Sequence, residues 1–122
     1  MKKNKPFSLV ARARSFKYAF AGIINFFKAE HNAILHLIAT IVVFILAKVL
    51  RVSGIEMIAL MLAIGFVWVA ELFNTAIEKI MDFLSEEQQP QIKFIKDLSA
   101  AAVLVAACVA IAVGCFVFIP KL

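Results

Sequence analysis

Glu71-Leu72-Phe73-Asn74-Thr75-Ala76-Ile77-Glu78 closes an apolar run that begins at Ile55, and this junction decides how the chain is read. Residues 55–73 approach the ~20 that a helix needs to cross a ~30 Å hydrocarbon core. An Asp, Lys or Arg at the centre of such a helix costs about 2.5–3.5 kcal/mol, so ionisable groups close to membrane depth point to function. At about 100° per residue, Glu71, Asn74, Glu78 and Asp82 share a helix sector of roughly 80°. They form a polar stripe whose acidity suits cations or proton transfer.

Working outward, two further apolar runs reach membrane length, residues 33–50 and 99–119. The first contains His36 and Thr40 and ends at Lys48. The chain is 64% hydrophobic with a mean hydropathy of +0.97, against about 45–50% apolar in soluble domains. It is therefore an all-α membrane protein. Its 122 residues leave room for a single integral-membrane domain over 1–122 and no separate soluble one. The basic N-terminus lacks a compact apolar segment and a small-residue cleavage site, so no removable signal peptide is expected.

Basic residues set the orientation. Lys2, Lys3, Lys5, Arg12, Arg14, Lys17 and Lys28 precede the first span, and Lys79, Lys93 and Lys96 lie between the second and third. Only Lys48, Arg51 and Lys121 fall on the other side, so the N-terminus and residues 79–96 are expected in the cytoplasm. Residues 7–30 interleave Phe7, Val10, Phe16, Phe20, Ile23, Phe26 and Phe27 with cations, the pattern of a helix lying in the membrane interface. A plain membrane-proximal anchor is the competing reading. Arg51-Val-Ser-Gly54 allows only a tight reversal, and Ser85-Glu-Glu-Gln-Gln-Pro90 breaks the helical pattern, giving an expected cytoplasmic loop over 83–95. Ser99-Ala-Ala-Ala102 is a small-residue face suited to close helix approach, and Asp97 stands where it could cap the third span.

Soluble nucleotide motifs are absent: there is no G-x-x-x-x-G-K-[ST] loop and no H-R-D or D-F-G element. His31 and His36 match no zinc spacing and read as interfacial or helix-packing residues. Cys108 and Cys115, seven apart on one helix, cannot pair and read as buried small apolar side chains. No nucleic-acid partner is expected. What remains is Glu30, Glu71, Asn74, Glu78, Asp82, Lys96, Asp97 and the N-terminal arginines. Carboxylate oxygens suit hard cations such as Mg²⁺, a carboxylate beside a hydroxyl can act as a base, and cations offset phosphate charge. These are the parts needed to move a phosphate from Mg-ATP to an alcohol at a membrane surface. A solvated acidic face is the competing reading.

Glu71-x-x-Asn74-Thr75-Ala76-Ile77-Glu78-x-x-x-Asp82, with Lys96-Asp97-x-x-Ala100-Ala101-Ala102-Val103-Leu104, closely resembles the signature of the prokaryotic diacylglycerol kinase family, which includes undecaprenol kinases. Arg14-Ser-Phe-Lys-Tyr18-Ala-x-x-Gly22 ahead of Glu30 extends the resemblance over nearly the whole chain. It implies an N-terminal interfacial helix, three spans, a homotrimeric bundle and sites shared between protomers. It further implies Glu71 as general base and Asn74 as the amide beside it. Glu30 and Glu78 would bind the metal, Mg²⁺, with the ATP phosphates. Arg14 (preferred over Arg12), Tyr18, Asp82, Lys96 and Asp97 would contact the nucleotide.

Three functions follow as expectations. The first is an ATP-dependent lipid kinase acting on a membrane alcohol, diacylglycerol or undecaprenol. Residues 89–97, Gln-Pro-Gln-Ile-Lys-Phe-Ile-Lys-Asp, are more similar to undecaprenol-kinase members. The second is a small ion or proton transporter using the Glu71/Glu78 stripe, which would have little need of Lys96-Asp97 or a long basic N-terminal helix. The third, a non-catalytic assembly subunit, leaves the acids without a role.

Overall fold

A computed structural model describes residues 6–87 and 89–122. The basic lead 1–5 and Gln88 of the expected loop lie outside the described residues. Among the described residues every regular element is helical: α1 (Leu9–Ala29), α2 (Asn32–Val49), α3 (Gly54–Leu84) and α4 (Pro90–Phe118), with a 3₁₀ turn at Ile119–Lys121. The chain divides into two units, Met1–Ile34 and Leu35–Leu122.

In the first unit, Ser8 caps α1 by accepting a hydrogen bond from the Ala11 N–H. The helix ends where the Glu30 N–H donates to the Phe26 carbonyl, and the Ala33 N–H donates to the Glu30 carbonyl as α2 begins. Lys28 sits in the last turn, where the helix dipole favours a cation. Phe16, Phe20, Ile23 and Ile24 are exposed on α1 alongside Arg12, Arg14 and Lys17.

The second unit holds the remainder of α2 with α3 and α4. α3 has 31 residues and extends ~46 Å, about 16 Å more than a hydrocarbon core is thick. Counted from Gly54, the core ends close to Glu71, so the acidic end of α3 stands in the interface or beyond. α4 has 29 residues and runs antiparallel to α3, so its first turns project beyond the core at the same end. All three helices qualify as membrane spans by length and composition.

Two turns set this arrangement. Between α2 and α3, Arg51 adopts a left-handed conformation (φ 54°) and the Val52 N–H donates to the Ala47 carbonyl, which ends α2 abruptly. Ser53 and Glu56 then form a reciprocal capping box at the start of α3. α3 ends at Leu84 and α4 begins at Pro90, so the link is shorter than the loop expected over 83–95. Pro90 begins α4 directly: its fixed φ suits the first helical position and its missing N–H would have had no partner there. Asp97 is consequently inside α4 and caps nothing; its carboxylate accepts from Lys93 one turn earlier, at 2.6 Å.

The core lies at the end of the unit away from Glu71. Ala47, Leu60 and Val117, one from each helix, are buried with Val43, Met57, Val113 and Phe118 around them. Ala47 is 1% exposed, so its small side chain sets how closely α2 approaches. Most large apolar side chains point outward, Leu62, Ile111 and Phe116 among them, which lipid tails accept at no cost. Cys108 and Cys115 are free and exposed on α4, not buried as expected, because both fall on its outward face. Ala47→Leu should lower stability by about 1–3 kcal/mol through overpacking, read as a lower unfolding temperature in detergent.

Candidate functional site

The polar stripe of α3 is gripped from both sides. On the α2 side, His36 Nε2 and Glu71 Oε1 share a hydrogen across 2.6 Å, and Glu71 is 6% exposed. One turn deeper, Trp68 Nε1–H donates to Thr40 Oγ1 at 3.0 Å, and Thr40 in turn donates to the His36 carbonyl at 2.7 Å. The Trp68 and His36 rings meet edge to face, with centroids 6.2 Å apart.

On the α4 side, the Ser99 hydroxyl donates to Asn74 Oδ1, and Asn74 Nδ2–H donates to Glu78 Oε1 at 3.3 Å. This fixes the amide: its oxygen faces α4 and its nitrogen faces the carboxylate, one helical turn along α3. Further out, Lys96 Nζ donates to Asp82 Oδ1 at 2.6 Å. Lys93 and Asp97 pair on an exposed face of α4. Thr75 Oγ1 is buried within the stripe and has no hydrogen-bond partner among the described residues.

Glu71 therefore lies at the α2–α3 junction, and Asn74, Glu78, Asp82 and Lys96 at the α3–α4 junction, all towards the end where α3 and α4 leave the hydrocarbon. Arg14 and Tyr18, four residues apart on α1, and Glu30 at its C-cap belong to the first unit. Arg14 and Tyr18 are both exposed. Asp97 faces Lys93 instead of the Lys96–Asp82 pair.

Two members were not singled out from sequence. Ser99 reads there as one small residue among alanines, yet it is the donor that orients Asn74. His36 reads as a packing residue, yet it is the partner of Glu71. The signal was present: His36 and Thr40 are polar groups one turn apart inside an apolar span, which by itself marks a functional site.

Two cavities adjoin this row. The larger, about 380 Å³, lies among α2, α3 and α4, with His36, Thr40 and Trp68 at one end and apolar side chains such as Val43, Leu60 and Phe118 along the rest. The smaller, about 250 Å³, lies at the α3–α4 link and is lined by Glu86, Glu87, Lys93, Lys96 and Asp97. One is suited to hydrocarbon and the other to a charged, hydrated group. Among the described residues no three acidic, His or Cys side chains converge as a metal cage. The oxygen donors fit Mg²⁺ in another way, since that ion is commonly held by one or two carboxylates together with the substrate's phosphates.

The sequence has parallels in known proteins. The chain is 36% identical over 109 residues to the undecaprenol kinase of Bacillus subtilis, covering 89% of each. It is 34% identical over 109 residues to the diacylglycerol kinase of Synechocystis, covering 88% of this chain and 62% of that one. The family model for prokaryotic diacylglycerol kinase matches residues 17–118, which include every member of the row just described, with Tyr18 and Glu30, and leave out Arg14. From Lys17 to the end of α4, then, this chain matches the prokaryotic diacylglycerol kinase family, and it belongs to that family.

Proposed function

We propose that the protein is an integral-membrane lipid kinase that transfers the γ-phosphate of Mg-ATP to the hydroxyl of a membrane alcohol. The observation that carries this reading is the polar row from Glu71 through Asn74, Glu78 and Ser99 to Asp82 and Lys96, lying where α3 and α4 leave the hydrocarbon. An acceptor dissolved in the bilayer and a nucleotide dissolved in water can meet only at such a boundary. The family's name and the names of both relatives, each a kinase of a membrane alcohol, support the same reaction. A polyprenol is the first acceptor to test, supported by the relative whose length the chain nearly matches; diacylglycerol is the second.

In this reaction Glu71 accepts the hydroxyl proton, the acceptor oxygen forms a bond to the γ-phosphorus, and ADP departs with the bridging oxygen. Asn74, held by Ser99, keeps the Glu78 carboxylate in place beside the base. Glu78 and Glu30 would hold Mg²⁺, which supplies charge to offset the phosphate oxygens. Lys96 is half-exposed on Asp82, and incoming phosphate oxygens compete with that carboxylate for its ammonium. Arg14, Tyr18 and Asp97 would complete the nucleotide contacts. α1 would lie in the headgroup layer with its cations towards phosphate, and the active site would face the cytoplasm beneath the inner membrane.

A homotrimer with sites shared between protomers, which the family resemblance implies, is part of the proposal. Proton transport through the stripe is not favoured. Beyond Thr40 and Trp68 the cavity lining is apolar, so the polar row does not continue across the membrane.

Three outcomes are expected. Purified protein with Mg-ATP and a short polyprenol in mixed micelles should release ADP, and Glu71→Gln should reduce that turnover by about 10²–10⁴-fold; no lipid-dependent release from well-folded protein with either alcohol would sink the reading. Lys96→Met should change unfolding free energy by less than ~1 kcal/mol, because its ion pair is exposed to water, while lowering turnover by roughly 10²-fold. Co-reconstituting Glu30→Gln with Glu71→Gln in equal amounts should restore about a quarter of the parent rate if each site draws these residues from different protomers; two inactive variants that stay inactive together would place both in one chain.

A further inference from the structure

The Asn74–Glu78–Ser99 row orients Glu78, but the orientation of Glu71 depends on another helix. Its Oε1 meets His36 Nε2 at 2.6 Å across the α2–α3 junction, and its side chain is almost wholly buried. His36 is itself fixed. Its ring lies edge to face with Trp68, Trp68 donates to Thr40, and Thr40 donates back to the His36 carbonyl. His36 and Thr40 are one turn apart on α2, and Trp68 and Glu71 are one turn apart on α3, so the four side chains close a ring between two rigid helices.

We propose that His36 is a positioning residue for Glu71: its neutral imidazole donates Nε2–H to Oε1 and so presents Oε2 to the acceptor hydroxyl. The inference rests on Glu71 being the base. In the transfer, the hydroxyl proton goes to Oε2, the acceptor oxygen's electron pair forms the bond to phosphorus, and the bond from phosphorus to the bridging oxygen of ATP breaks. His36 keeps its own proton throughout.

The choice of side chain has a chemical reason. An arginine at this position would hold a carboxylate firmly in its charged form and blunt it as a base. A neutral imidazole fixes its direction and leaves it able to accept a proton. His36 also lies at the polar end of the apolar cavity, one hydrogen bond from Glu71. A carboxylate on the end of a flexible side chain, unheld, would sample directions that miss that oxygen.

The test compares His36→Gln with His36→Met, which match in length and differ in the terminal N–H donor. Lipid-dependent ADP release is measured for each, normalised to folded, assembled protein. His36→Met should lower kcat by roughly tenfold to a hundredfold with the KM for ATP unchanged, and His36→Gln should stay within about threefold of the parent. Equal losses in the two, a loss expressed in KM for ATP alone, or a fully active His36→Met would overturn the proposal.

A second measurement does not require a His36 variant to fold. The ring N–H resonance of His36 in the parent protein should lie downfield and move when Glu71 is changed to Gln. A resonance indifferent to Glu71→Gln overturns the pairing. An inactive parent would instead remove the kinase reading, whereas an active parent with inert Glu71→Gln and active His36→Met would remove only the role given to His36.

Discussion

A carboxylate that is 6% exposed, on a helix reaching the edge of the hydrocarbon core, needs a partner before the fold can hold it there. Glu71 is that carboxylate and His36 is its partner. The rest of the second unit is arranged to bring them together. The tight turn at Arg51 and the capping box at Ser53 start α3 immediately after α2, so the two helices run antiparallel from a common end. Ala47, with its small side chain, lets α2 approach at that end, and the Thr40–Trp68 hydrogen bond fixes the facing register midway. By the depth of Glu71 the partner is already in position.

Helix length performs the complementary task at the other junction. α3 and α4 are both longer than the hydrocarbon core requires, and their surplus turns stand side by side at one end. That surplus is where the chain places its charges: Glu78, Asp82, Lys93, Lys96 and Asp97. Under the proposed function, these extensions of the membrane helices would carry the nucleotide site. Phosphoryl transfer tolerates such economy, since it asks chiefly for positioning and for charge placed around the phosphate.

The spans, the polar stripe and the family could all be read from sequence, because each is a matter of residue type at helical spacing. The ~80° sector shared by Glu71, Asn74, Glu78 and Asp82 needed only the helix period. The α3–α4 link was misjudged as longer because Pro90 was taken as a breaker, whereas at the first helical position it begins a helix. Asp97 was misassigned for the same reason: once α4 starts at Pro90, Asp97 is two turns inside it. Ser99 and His36 escaped notice because their importance lies in what they meet on neighbouring helices. Their partners are 25 and 35 residues away in the chain, and no local pattern encodes that.

The distribution of polarity within the helix bundle also separates transfer chemistry from transport. A conduction path requires polar groups or water at successive depths, because an ion left in hydrocarbon without partners is too costly to pass. Here polar side chains are dense from Lys96 to Trp68 and then give way to Val43, Ala63, Leu60 and Phe118 along the cavity wall. The next ion pair is Glu56 with Lys121, at the far end of α3 and α4, beyond the apolar core of Ala47, Leu60 and Val117. Along the cavity wall no polar side chain follows Thr40 and Trp68 to carry a proton further. The same cavity ends at His36, Thr40 and Trp68, and under the proposed function it would admit the hydrocarbon chain of the acceptor alcohol.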